Sequence, residues 1–196
     1  MLELITSMYL MGISQDGPSC AKKNDDSERL RCYDLVYRVT ASAPKPIDSD
    51  WRVREETSKL DDTKTVFMEV NSNENHVGRF GQEGKLRLSL RCQENTTALA
   101  IYFAGEFMAS GASDYVRVDY RIDDNPASSA NFVESTNNEW LGLWNGSRAI
   151  PFIKQMFGAS TMYVRATPFS ESSVDGEFNI SGVQDAIKPL REACSW

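Results

Sequence analysis

An α+β, mainly β fold is what this sequence predicts: an antiparallel, sandwich-like sheet with a C-terminal helix and a small N-terminal helical unit. Three observations carry that expectation. Apolar and polar residues alternate over several segments from Trp51 onward, short Asp- and Asn-containing turns join them, and no long crossover helix separates them. The composition agrees. Of 196 residues, 41% are hydrophobic and 25% charged, enough for one domain, alone or with a small appendage, to bury a core without metal or a dense disulfide framework.

Taken in order, residues 1–19 read as a leader-like or disordered segment. Leu4-Ile5 and Met8 to Met11 form an apolar stretch before a polar region, the order found in a signal peptide, although Glu3 stands where a basic residue belongs. Residues 20–43 read as a small cysteine-bearing helical unit. Asp25-Asp26-Ser27 offers an N-cap with acid in the first turn, and Leu30, Tyr33, Leu35 and Val36 offer an apolar face. Ser42 to Asp50, with Pro44 and Pro46, is a breaker segment and reads as a linker.

Residues 51–196 read as a β-rich domain closed by a helix. Trp51 to Glu55 and Thr65 to Val70 alternate, and Lys85 to Cys92 does so most cleanly. There Leu86, Leu88, Leu90 and Cys92 point inward, while Lys85, Arg87, Ser89 and Arg91 point to water. Asn71 to Gly84 suits a projecting loop. Glu94-Asn95 turns the chain back into Thr97 to Phe103, which predicts a hairpin. Asp114 to Ile122 is a further strand, ended by Asp123-Asp124-Asn125-Pro126. Asn131 to Ser135, Thr161 to Ala166 and Glu177 to Ile180 complete the strands, and Ile150 to Phe157 predicts a short helix stopped by Gly158. Val183 to Cys194 predicts an amphipathic helix burying Val183, Ile187, Leu190 and Cys194, with Pro189 inside it.

The four cysteines leave no odd thiol, and none lies in a C-x-x-C pair. That disfavours a structural zinc site. Of the three possible pairings, Cys20–Cys32 with Cys92–Cys194 is favoured, the first stapling a local loop and the second tying a central strand to the closing helix. Four reduced thiols in a cytosolic core are the alternative.

A net charge of −7 disfavours non-specific attraction to nucleic acid or anionic lipid. No phosphate-binding glycine loop and no G-x-S-x-G elbow occurs. The single histidine, His76, sits in a turn-like Asn-Glu-Asn-His stretch and reads as a solvated loop residue. Asp61-Asp62 and Asp123-Asp124 both fall at turns, where aspartate bonds the local backbone. The sequons at Asn95, Asn145 and Asn179 read as chance occurrences. No catalytic residue, cofactor or metal is expected.

The candidate binding face is the strand carrying Arg117, Asp119, Arg121 and Asp123, whose charges alternate along one side. Its plain reading is a solvated charge ladder. Its functional reading is a polar groove whose arginines meet a carboxylate-bearing ligand or partner, with Trp140 and Trp144 as core residues or as its walls. Trp51 and Trp196 are expected to pack.

Cys20 with Glu28-Arg29-Leu30-Arg31-Cys32-Tyr33-Asp34, then Trp51, Ser58-Lys59-Leu60-Asp61-Asp62, Leu90-Arg91-Cys92, Tyr120-Arg121-Ile122-Asp123 and the ending Leu190-Arg191-Glu192-Ala193-Cys194-Ser195-Trp196 form an ordered set. Together they resemble the VasI/TagO type of accessory protein associated with bacterial type VI secretion. The resemblance runs over nearly all of the chain from Cys20. It implies a periplasmic or secreted, non-enzymatic protein with a protein partner in the bacterial envelope, no nucleic-acid partner and no membrane span in the mature form. A prophage-borne relative is a variant of the same expectation. The competing expectations are a secreted or phage-encoded inhibitor or host-interaction protein, and a cell-wall hydrolase using paired carboxylates.

Overall fold

The structure, a computed structural model, describes residues 17–37, 49–78 and 81–196. The chain divides into two compact units, Met1–Pro46 and Ile47–Trp196. The expected leader up to residue 16, and the linker apart from Ser49 and Asp50, lie outside the described residues.

The first unit holds α1 (Gly17–Ala21) and α2 (Asp26–Tyr37). The Asp25 carboxylate accepts the Glu28 amide at 2.8 Å and so caps α2. The Cys20–Cys32 disulfide joins the two helices. The expected apolar face does not form a core here, because Leu30 is 64% and Leu35 70% exposed while the two cysteines are buried. Two short helices present too little apolar surface to close a core, so the covalent link holds them together.

In the second unit the strands are β1 (Arg52–Thr57), β2 (Lys64–Val77), β3 (Glu83–Gln93), β4 (Thr96–Tyr102), β5 (Val116–Ile122), β6 (Ser128–Glu134), β7 (Trp140–Leu143), β8 (Thr161–Ala166) and β9 (Val174–Asn179). Between β7 and β8 lies α3 (Gly146–Gln155), and α4 (Val183–Ala186) and α5 (Lys188–Ala193) end the chain. The strand order is β1-β2-β3-β4-β7-β6-β5-β8-β9, with β9 returning to β2, and every pairing is antiparallel. The β-rich expectation therefore holds, but the sandwich becomes a closed barrel of eight strands with β1 added outside it. Closure removes the open edges that two facing sheets would keep.

Strand β2 makes that closure possible. Along one edge it pairs with β1, and at Ser72↔Phe178 it passes that edge to β9. Its register against β3 shifts between Asn71 and Asn75, a bulge of the kind that bends a strand into a barrel corner. The buried Ser72 hydroxyl bridges this break, donating to the Glu74 carbonyl at 2.7 Å and accepting the Leu86 amide at 3.0 Å. Gly176 on β9 lies against it, where a Cβ would come within 3.0 Å of Leu86. Ser72→Ala should cost about 1–3 kcal/mol by leaving two backbone groups unpartnered. Urea unfolding measures this, and a loss below about 0.5 kcal/mol, the scatter of a plain surface change, would refute the role.

Several local expectations change with the barrel. Asn71 to Val77 continues β2, so the projecting loop from Asn71 to Gly84 is in large part paired strand. The strand expected from Asn131 begins at Ser128. The helix expected from Ile150 starts at Gly146, because Asn145 caps it by accepting the Arg148 amide at 3.1 Å. The closing helix is two pieces: Pro189 sits in the first turn of α5, where its missing N–H costs nothing. Val183, Ile187, Leu190 and Cys194 are all buried, as the amphipathic pattern requires.

Inward residues fill the barrel, among them Leu88, Ile101, Phe103, Val118, Phe132, Met162 and Phe178, each 0% exposed. The Cys92–Cys194 disulfide joins β3 to the end of α5. Trp51 donates its indole N–H to the Ile180 carbonyl at 3.4 Å, and Trp196 donates to the Thr97 hydroxyl at 2.8 Å. Both tryptophans pack, as expected.

Candidate functional site

Since the barrel interior is occupied by side chains, chemistry is displayed on its outer wall. Two faces carry it.

The first is built on β5, β8 and β9. Pleating puts Arg117, Asp119 and Arg121 on the outer side of β5, and cross-strand register sets Asp119 opposite Arg165 and Arg121 opposite Tyr163. Tyr163 in turn faces Glu177, and Arg165 faces Asp175. The resulting open groove, about 830 Å³, is lined by Asp119, Arg121, Tyr163, Arg165 and Glu177 among others. Its charges neutralise one another. Arg117 Nε donates to Asp119 Oδ1 at 2.9 Å, and Arg165 reaches Asp119 Oδ2 at 3.2 Å. Arg121 donates to the Asp123 carbonyl at 3.1 Å and pairs with Asp124 at 3.3 Å. The Arg117 guanidinium, then that of Arg165, holds the Asp119 carboxyl below its usual range. Partial burial, then a hydrogen bond to Asp175, pushes the Tyr163 phenol up.

Asp123 has a structural task at the end of this strand. It adopts a positive φ of 48°, and its carboxylate accepts the backbone amides of Thr161 at 2.8 Å and Ser160 at 2.9 Å. Those two amides hold its carboxyl below the usual range. A depressed folded value means stability that is present above the unfolded pKa of about 3.9 and lost as pH falls toward the folded value. Asp123→Asn should therefore melt lower than the parent at neutral pH, with the difference shrinking below about pH 4. Melting curves across that range test it, and a pH-independent difference would contradict the assignment.

The second face lies on β2, β3, β4 and β7, with β1 at its margin. Register aligns Arg54, Phe67, Arg91 and Ala98 across it, then Glu69, Ser89, Ala100 and Gly142, then Arg87, Tyr102 and Trp140. Ala98 and Ala100 point outward yet are only 2% and 7% exposed, because bulky neighbours cover them. Trp144 lies flat over Gly142, where a Cβ would meet the indole at 2.4 Å. Its indole N–H donates to the Val133 carbonyl at 2.9 Å, which fixes the ring. Guanidinium groups stack on the rings: Arg54 over Phe67 at 4.9 Å, Arg91 over Trp144 at 5.5 Å, and Arg87 over Tyr102 at 5.4 Å and Trp140 at 5.6 Å. The trough between them, about 280 Å³, has Ser89, Ala98 and Ala100 as its floor.

Arg117, Asp119, Arg121 and Asp123 thus sit together on the first face, while Trp140 and Trp144 sit on the second and do not wall that groove. Reading by nearness in sequence missed Arg54, Phe67, Arg87, Arg91 and Tyr102. A signal was present: small residues at the outward positions Ala98 and Ala100, and a glycine between two tryptophans in Trp140-Leu-Gly-Leu-Trp144. His76 also departs from its reading. It lies in β2 rather than a solvated turn, with Nε2 3.0 Å from Oε1 of the buried Glu106.

Comparison with known proteins adds three findings. The family model described as Type VI secretion system VasI, EvfG, VC_A0118 matches residues 19–196. No curated protein matches the sequence. Among solved structures, the chain is similar to invasion associated protein B from Bartonella henselae, at 10% identity and a TM-score of 0.47, over 76% of this chain and 96% of that one.

Proposed function

The chain belongs to the VasI family of type VI secretion systems, and from that premise we propose that it is a non-enzymatic accessory protein of the secretion machine, acting in the periplasm by binding an envelope protein. The observation that carries this reading is the pairing of a family match over residues 19–196 with a barrel whose interior is filled by its own core. Recognition is left to the outer wall, where preformed faces suit a macromolecular partner better than a small substrate. Two disulfides suit an oxidising compartment. Among the described residues no helix is long and apolar enough to cross a membrane.

The hydrolase reading has less support. A glycosidase needs a carboxyl raised to serve as general acid. Among the described residues the carboxyls displaced from their ordinary range, Asp61, Asp119, Asp123 and Glu134, are all displaced downward by hydrogen bonds that anchor them.

The test is gene deletion with complementation in the native host, scored by type VI secretion, beside fractionation of the tagged protein. Loss of secretion restored by the wild-type gene, with the protein in the periplasmic fraction, supports the proposal. Wild-type secretion in the deletion strain, or a cytoplasmic protein with four free thiols, overturns it.

A further inference from the structure

The trough on the β2–β3–β4–β7 face carries an inference about the kind of partner, and it rests on the binding role just proposed. Two of its arginines have acids: Arg54 pairs with Glu56 at 3.3 Å and Arg87 with Glu69 at 3.8 Å. Arg91 differs. Among the described residues no carboxylate lies within ion-pair range of it, and its contact is the Trp144 ring. In a chain of net charge −7, a cation left without an acid at the centre of a shaped face calls for an anion from outside.

The geometry narrows that anion. Among the described residues the Arg91 side chain makes no hydrogen bond, so its guanidinium N–H groups, the planar fork that matches a carboxylate, are left for one. Sugar stacking is disfavoured, because each ring of the trough already bears an arginine and Trp144 also packs on Gly142. A polyanion such as nucleic acid is disfavoured by the overall negative field. What remains is an isolated carboxylate beside apolar groups, complementary to Arg91 and to the half-buried rings of Phe67, Trp140 and Trp144. Gly142 and the Trp144–Val133 hydrogen bond hold the trough in shape before binding, so little ordering is needed on contact.

We propose that this trough docks an acidic peptide segment of a protein partner, seating an Asp or Glu carboxylate on Arg91 and an adjacent apolar side chain against the half-buried Phe67, Trp140 and Trp144. The face first suggested by sequence, with Arg117, Arg121 and Arg165 already partnered, is the weaker anion site.

The experiment uses the full chain against an array of synthetic peptides covering the envelope-exposed segments of the host's own type VI proteins. Each acidic peptide is paired with its Asn/Gln version. Hits are then measured in solution with wild type, Arg91→Gln, Arg91→Lys, Trp144→Ala and, as a control on an exposed residue outside the trough lining, Arg31→Gln. Melting curves show that each variant is folded. The expected result is binding that falls tenfold or more with Arg91→Gln and with the Asn/Gln peptide, is partly kept by Arg91→Lys, and is unchanged by Arg31→Gln. Binding indifferent to Arg91 or to peptide acid overturns the proposal. So does selective binding of glycan fragments, self-association through this face, or the absence of any peptide hit. If secretion is nonetheless lost on gene deletion, the accessory role survives and only the trough assignment fails.

Discussion

Removing the Cys92–Cys194 link by the double change Cys92→Ala and Cys194→Ala is expected to lower the melting temperature by roughly 10–15 °C, a loss of ~4–5 kcal/mol. The bond spans a sequence separation of 102 residues, which includes every strand from β4 to β9. Without it the unfolded chain regains the freedom to separate its ends, and that gain grows with the logarithm of the loop. The native side loses as well. Cys92 is fully buried in β3, between β2 and β4, and Cys194 ends α5, which packs on β2 and β3. Reductant should reproduce the shift, while the far-ultraviolet circular dichroism at low temperature keeps its β signature. Reducing Cys20–Cys32 acts on the small helical unit and should leave the main transition in place. An unchanged melting curve in the double variant would refute the structural role of the long-range bond.

The second large effect is expected at the seam of the barrel. Phe178 is 0% exposed and pairs with both Ser72 on β2 and Met162 on β8. Ser72↔Phe178 is the register pair that joins β9 to β2. Phe178→Ala therefore opens a cavity at the place where closure rests on the fewest backbone bonds. A loss of about 3–5 kcal/mol is expected from the cavity and transfer terms. Phe178→Leu, which keeps most of the volume, should lose less than about 1.5 kcal/mol. Chemical unfolding of the two variants measures both values. Similar losses for alanine and leucine would mean that the side chain's volume is not what holds the seam.

Together these results would separate two devices with one purpose. The disulfide limits the unfolded chain, and Phe178 completes the folded wall. Phe178, in β9, does not line the trough, so its variants can be read apart from binding, whereas Cys92 adjoins Arg91 in β3 and the disulfide variant needs its own binding measurement.

Much about this protein is legible in single segments. The period-2 pattern of Lys85 to Cys92 sets which side chains enter the core, because a strand's pleat is a local property. Glu94-Asn95, with φ of 49° and 55°, and Asp123 turn the chain where the turn chemistry says they should. The ordered motifs from Cys20 to Trp196 point to the family that the match over residues 19–196 shows. Other features depend on residues far apart in sequence. An inward face looks the same in a sandwich and in a barrel, and the choice was made by the packing of β9 on β2, whose register pair is Ser72↔Phe178, together with the bulge that bends β2 toward it. The pairing of β7 with β4, and of β4 with β3, set Trp140 and Trp144 beside Arg87 and Arg91 rather than beside Arg117. Alternation along a strand determines inside from outside; which outward side chains become neighbours is decided by strand order and register, and those are properties of the closed sheet.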